Sequence, residues 1–122
     1  MRELLFIFIG GGLGSICRYS IGAYMLNSLA QRFPWATFAA NALGCLCIGI
    51  LIGYFSNRPT GLLYLLLVTG FCGGFTTFST FSNETFQLLR QGLYAFALGY
   101  MALSFFVGIM SVAAGFYLVK NV

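Results

Sequence analysis

Residues 69–83 read Thr-Gly-Phe-Cys-Gly-Gly-Phe-Thr-Thr-Phe-Ser-Thr-Phe-Ser-Asn, a mixture of glycine, hydroxyl and phenyl groups found nowhere else in the chain. Gly70, Gly73 and Gly74 lead into the β-branched pair Thr76 and Thr77, which predicts a break in any helix that carries them. A broken helix frees carbonyls at the end of its first half, suited to a cation, and amides at the start of its second half, suited to an anion. The plainer alternative is a glycine kink satisfied by Ser and Thr side chains, and glycine spacing alone does not choose between the two. After the break, Phe75, Phe78 and Phe81 recur every three residues among Thr77, Ser79, Thr80 and Ser82. Rings alone mean packing, but hydroxyls inside hydrocarbon must be paired or wet. Phenyl edges are electropositive, so rings and hydroxyls together can face a small anion.

Other polar residues are few. Asn41 carries amide donors that need partners, with an interhelical bond as the simple alternative. Tyr100 and Ser104 lie four apart, and Ser111 seven further on, so they share a helix face with Gly108 and Gly115, either as a hydroxyl track or as a packing seam. Arg18 and Glu84 are the charges set deep in apolar sequence and are functional candidates for that reason. For Arg18 the favoured role is a structural anchor that bonds freed carbonyls, ahead of an anion attractor. The chain has no His and no Asp, and its two Glu are Glu3 and Glu84, which leaves no general base or carboxylate pair of the usual kind. Cys17, Cys45, Cys47 and Cys72 read as small buried apolar residues. Cys45 and Cys47, two apart, do not share a helix face for a metal.

The elements that must hold these groups follow from the charges. Only 7% of the 122 residues are charged and 60% are hydrophobic, which excludes an ordinary water-soluble domain. Residues 33–57, 59–83 and 91–119 are each uncharged and each longer than the ~20 residues a spanning helix needs. Residues 4–31 are interrupted by Arg18 but continue the apolar pattern past it, and no leader peptide is expected to be cleaved there. The predicted helices are 4–26, 35–54, 62–90 broken near 73–77, and 93–118, in one domain over residues 1–122. Pro34 sits at a helix start, where proline is tolerated. Ser56-Asn57-Arg58-Pro59-Thr60-Gly61 is the plainest turn. The break would lie about 17 Å into a hydrocarbon core of about 30 Å. Irregular backbone at that depth persists only inside protein or beside a wet cavity.

Small residues recur four apart, as in Gly10 and Gly14, Gly49 and Gly53, and Ser111 and Gly115, a pattern that mostly reflects close helix packing. Gly73 and Gly74 are read instead as part of the break. The formal charge of +4 is dispersed, with no basic face for nucleic acid. Four spans put Arg2, Arg58 and Lys120 on one side and Arg32 and Arg90 on the other, a difference too small to fix orientation. Insertion in both orientations is therefore expected. Four helices enclose little space, so a polar pathway forms more readily between two subunits, and an antiparallel homodimer meets both conditions.

The segment Gly70-Phe-Cys-Gly-Gly-Phe-Thr-Thr-Phe-Ser-Thr-Phe81 followed by Glu84 resembles the signature of the Fluc (CrcB) family of fluoride channels. Gly10-Gly-Gly-Leu-Gly-Ser-Ile-Cys-Arg18 and Pro34-Trp-Ala-Thr-Phe-Ala-Ala-Asn41-Ala-Leu-Gly44 extend the resemblance over the chain. Ala36 and Cys45 stand where members often have Gly and Ser, and Phe75 is a common substitution. The resemblance implies a passive, selective channel in a prokaryotic inner membrane that exports fluoride and relieves its toxicity. It also implies an antiparallel, dual-topology homodimer with a structural sodium ion at its centre. On that basis Gly73 and Thr76 would offer backbone carbonyls to the sodium, and Phe78 and Phe81 would turn ring edges to fluoride. Asn41, Ser79 and Thr80 would donate to fluoride, with Tyr100 and Ser104 on a polar track in the last helix. A small proton-coupled multidrug exporter of dual topology is the rival, with Glu84 as its titratable group. A purely structural membrane subunit is a third reading, and it leaves the Asn, Ser and Thr constellation without a reason.

Overall fold

A computed structural model describes residues 1–26, 32–58 and 61–120. Among the described residues every regular element is helical, and four stretches are long and apolar enough to cross a membrane: Arg2–Met25, Trp35–Phe55, Leu62–Arg90 and Tyr94–Lys120. The chain is an all-α, multi-pass membrane protein. Helix α1 is Arg2–Leu26 and α2 is Trp35–Phe55. The third span is two helices: α3 over residues 62–75 and α4 over Phe78–Arg90. The last, α5, is Tyr94–Lys120. The connection expected near residues 27–34 and the turn expected over 56–61 fall partly outside the described residues, at 27–31 and 59–60.

Local sequence explains the ends. Pro34, which has no amide hydrogen, directly precedes Trp35 as the N-cap of α2. Between α4 and α5, Gly92 takes φ +74°, a conformation open to glycine, while its N–H donates to Leu89 O and the Leu93 N–H donates to Leu88 O. These bonds close the end of α4 and reverse the chain in three residues.

Helix α3 departs from the expected form. Leu62–Tyr64 and Gly73–Phe75 are α-helical, but Leu65–Cys72 between them is a π-helix. Its wider turn packs on α1 along a seam of bare backbone. A Cβ added at Gly10 would meet Leu66 O, and one at Gly14 would meet Phe71 O. From the other side, Gly70 faces Ile7 and Gly10, and Gly74 faces Gly11. Gly74 is therefore a packing residue of this seam as well as a neighbour of the break. Gly73 meets nothing. A second seam joins α2 to α5: Gly49 lies against Val112, Gly53 against Phe116, and Gly115 against Leu46 and Ile50. Close approach of this kind supplies the van der Waals attraction that lipid cannot outcompete.

Helix α4 is the most amphipathic and the least enclosed. One side enters a core of Phe81, Leu88, Ala97 and Tyr100, backed by Phe33 and Phe38. The other exposes Phe78, Ser79, Ser82, Asn83 and Phe86.

The seam separates two neighbouring glycines. Gly14→Ala, set into α3 backbone, is expected to destabilise the protein by about 1–3 kcal/mol as overpacking. Gly12→Ala, with open space around it, is expected to be neutral or to stabilise by up to ~1 kcal/mol through helix propensity. Thermal unfolding of the detergent-solubilised protein checks both, and equal costs at the two positions would contradict the seam.

Candidate functional site

The third span is interrupted at Thr76 and Thr77, which are extended at φ −83°, ψ 156° and φ −148°, ψ 116°. The glycines before them stay helical, so the β-branched pair makes the break, while Gly74 packs on α1 and Gly73 does not. Some of the freed backbone groups find partners within this chain. Thr76 closes α3, donating its N–H and its hydroxyl to Cys72 O at 3.0 and 2.9 Å. Thr77 opens α4 as its N-cap, with Oγ1 accepting from the Thr80 N–H at 3.2 Å. The same hydroxyl donates to Thr80 Oγ1 at 3.0 Å and lies 3.4 Å from Ser79 Oγ, so the hydroxyls of Ser79 and Thr80 belong to this cap.

Asn41 grips the break at two points. Its Oδ1 accepts from the Thr77 N–H at 2.8 Å, and its Nδ2 donates to Thr77 O at 3.1 Å. This is the interhelical bond, and it leaves one of the two Nδ2 hydrogens free. Arg18 reaches in from α1, donating from Nε to Gly74 O at 3.2 Å, with Ser15 Oγ donating to the same oxygen at 3.4 Å. The guanidinium thus bonds a freed carbonyl, in the manner of a structural anchor.

Three carbonyls remain. In an unbroken helix, Gly73 O would accept from the Thr77 N–H, Phe75 O from the Ser79 N–H and Thr76 O from the Thr80 N–H. The first and last of those amides donate instead to Asn41 Oδ1 and Thr77 Oγ1. None of the three carbonyls has another partner among the described residues, and Phe75 does not line the groove that the other two share. Gly73 and Thr76 both line an apolar groove of about 830 Å³ bounded by α2, α3 and α5, together with Asn41, Phe78, Phe81 and Ser104. Two neutral, hard oxygen donors suit a cation of low charge. Ser104 adds the one buried side-chain oxygen found without a partner among the described residues.

The two phenylalanines beyond the break differ. Phe78 is 73% exposed, whereas Phe81 is 8% exposed and packs against Tyr100 at 5.0 Å and Phe105 at 6.2 Å between centroids. Their own rings are 5.9 Å apart and tilted. Behind Phe81, Glu84 accepts a hydrogen bond on each carboxylate oxygen: from Thr37 Oγ1 at 2.7 Å and from Tyr100 OH at 2.8 Å. Glu84 also borders a smaller cavity of about 290 Å³ lined by Arg32, Gln87 and Gln91. Tyr100, itself fully buried, is therefore anchored to a carboxylate. Ser104, one turn further on α5, faces the groove.

Thr37 and Ser15 were given no hydrogen-bonding role from sequence, and Thr77, expected in the break and in the hydroxyl row, is also the N-cap of α4. Thr37 carried a usable signal, since it precedes Asn41 by four residues and shares its helix face. Ser15 sat within the Gly10–Arg18 motif three residues before Arg18, also on one face. Nothing in the apolar residues of Leu65–Cys72 signals the π-helix.

Comparison with known proteins extends this geometry. A family model described as CrcB-like protein, Camphor Resistance (CrcB), matches residues 5–116. A fluoride-specific ion channel FluC of Phocaeicola vulgatus is 44% identical over 119 residues, covering 97% of this chain and 98% of its own. Proteins of the same name in Leptospira interrogans serovar copenhageni and Gloeothece citriformis are 45% and 43% identical, over 98% and 99% of this chain and 96% and 99% of theirs. With the match running from the first helix into the last, the chain belongs to the CrcB-like family.

Proposed function

We propose that this protein is a passive, selective fluoride channel that lets fluoride leave the cell down its electrochemical gradient and so relieves its toxicity. The relatives' name supports the ion. The observation that carries the mechanism is the groove itself: an apolar cleft whose few polar groups, Asn41 with its spare N–H and Ser104 with its unpaired hydroxyl, stand beside Phe78 and Phe81. Fluoride is small and strongly hydrated, so it crosses only where donors replace lost water. The amide and hydroxyl supply donors, and the ring edges add positive potential without binding the ion tightly enough to trap it. Tyr100, held by Glu84, stiffens the wall behind Phe81.

The unpaired polar groups in the groove and the Ser79, Ser82 and Asn83 side of α4 are unfavourable against lipid, and we assign a second copy of the chain as their cover. The charge balance of Arg2, Arg58 and Lys120 against Arg32 and Arg90 supports insertion in both orientations, hence an antiparallel pair. In that pair the carbonyls of Gly73 and Thr76 from each subunit form an uncharged oxygen set that fits a sodium ion. Bound there, sodium supplies a fixed positive charge between the two breaks.

Three measurements test this. Liposomes loaded with fluoride or chloride, given a potassium ionophore, are expected to release fluoride rapidly and retain chloride, with no proton gradient applied; equal release of both anions would overturn selectivity. Phe81→Ile is expected to slow fluoride efflux about tenfold, since one ring contact is worth up to ~1.4 kcal/mol. Unchanged efflux from a normally assembled protein removes Phe81 from the pathway. Glu84→Gln leaves one of the two hydroxyls without its acceptor and is expected to cost about 1–3 kcal/mol in thermal unfolding. The fluoride flux that remains should be indifferent to a proton gradient, whereas a proton-coupled exporter would lose its coupled transport.

A further inference from the structure

We infer that Asn41 is a positioning residue for the carbonyls of Thr76 and Gly73, and so acts on the cation site as well as on the anion path. The inference rests on the assignment of those carbonyls to a sodium ion in the preceding section.

One peptide plane sets the geometry. The bond joining Thr76 to Thr77 is trans, so the Thr76 carbonyl and the Thr77 N–H lie in one plane and point in opposite directions. Asn41 Oδ1 accepts that N–H at 2.8 Å. With the N–H aimed at α2, the Thr76 oxygen must aim away from it. The next peptide is fixed as well, because Asn41 Nδ2 donates to Thr77 O at 3.1 Å. Thr77 is thus held on both sides in its extended conformation, and no backbone bond does this work.

The same contact keeps Gly73 O open. The natural partner of that oxygen is the Thr77 N–H four residues on. If Asn41 let go, the N–H would be free to close on Gly73 O, lengthening α3 by a residue and consuming one of the two carbonyls. Arg18 and Ser15 occupy Gly74 O, between the two carbonyls, and so remove it from the set open to a cation. One side chain therefore aims Thr76 O and keeps Gly73 O unpaired, while its spare N–H faces the groove. The acceptor Oδ1 serves the cation site; the remaining donor serves the anion.

The two roles separate by substitution. Asn41→Ala removes both. Asn41→Asp keeps an acceptor for the Thr77 N–H and removes both amide donors, the one on Thr77 O and the spare one. The readout is the thermal midpoint of the purified, assembled protein in detergent, titrated with sodium against N-methylglucamine, since a ligand that binds the folded form raises the midpoint with concentration. The native protein is expected to be stabilised by sodium. Asn41→Ala is expected to lose that stabilisation or to need at least about tenfold more sodium for it, whereas Asn41→Asp stays within about threefold of native while its fluoride efflux falls. An Asn41→Ala protein that responds to sodium as the native one does overturns the inference. Should Asn41→Ala not assemble, Asn41→Asp alone decides, and a tenfold shift there overturns the acceptor role. A native protein indifferent to sodium overturns the sodium assignment together with this inference, and liposome efflux then still decides the channel reading separately.

Discussion

Inside hydrocarbon there is no water to bond a peptide group, and an unpaired one costs several kcal/mol. The architecture around the third span answers that constraint. An interruption at Thr76 and Thr77 frees backbone groups near the middle of the 29-residue span, and four parts of the chain converge to satisfy them. Helix α1 sends Ser15 and Arg18, α2 sends Asn41, α3 ends on the Thr76 hydroxyl, and α4 begins on the Thr77 hydroxyl. A charged side chain at this depth becomes intelligible once its guanidinium is seen on Gly74 O.

The satisfaction is incomplete in a selective way. Side chains take the amide of Thr77 and the carbonyls of Gly74 and Thr77, yet they leave Gly73 O, Phe75 O and Thr76 O, of which the first and last belong to residues that line the groove. The break thus behaves as a glycine- and threonine-rich kink closed by side chains at some of its groups, and leaves others open to the groove. The two readings that glycine spacing could not separate describe different atoms of the same turn.

Fold class was legible because charge is scarce and therefore informative: of eight charged residues in 122, all but Arg18 and Glu84 lie at or beyond the ends of the spans. What the sequence hid is geometry that leaves no trace in residue type. The π-helical stretch Leu65–Cys72 is ordinary apolar sequence. Gly73 and Gly74 are identical letters with different roles, because one faces open space and the other meets the backbone of Gly11. The carboxylate of Glu84 was visible as a lone acid, but its two hydroxyl donors come from Thr37 and Tyr100, 47 and 16 positions away, and only folding brings them together. Asn41 was legible as a residue that needed partners, while the identity of the partner, a main-chain unit on another helix, was not.

The seam between α1 and α3 is made of main-chain atoms on both sides, with Gly10 and Gly14 resting on carbonyls and Gly70 and Gly74 returning the contact. Such a joint contains no side-chain shape that could change. The opposite face of α1, with Phe8, Leu13, Ile16 and Tyr19 turned outward, is consequently free to vary without disturbing it. Over evolutionary time the chain can retune its outer girth to thinner, thicker or stiffer bilayers while the joint that carries Arg18 to the break stays fixed.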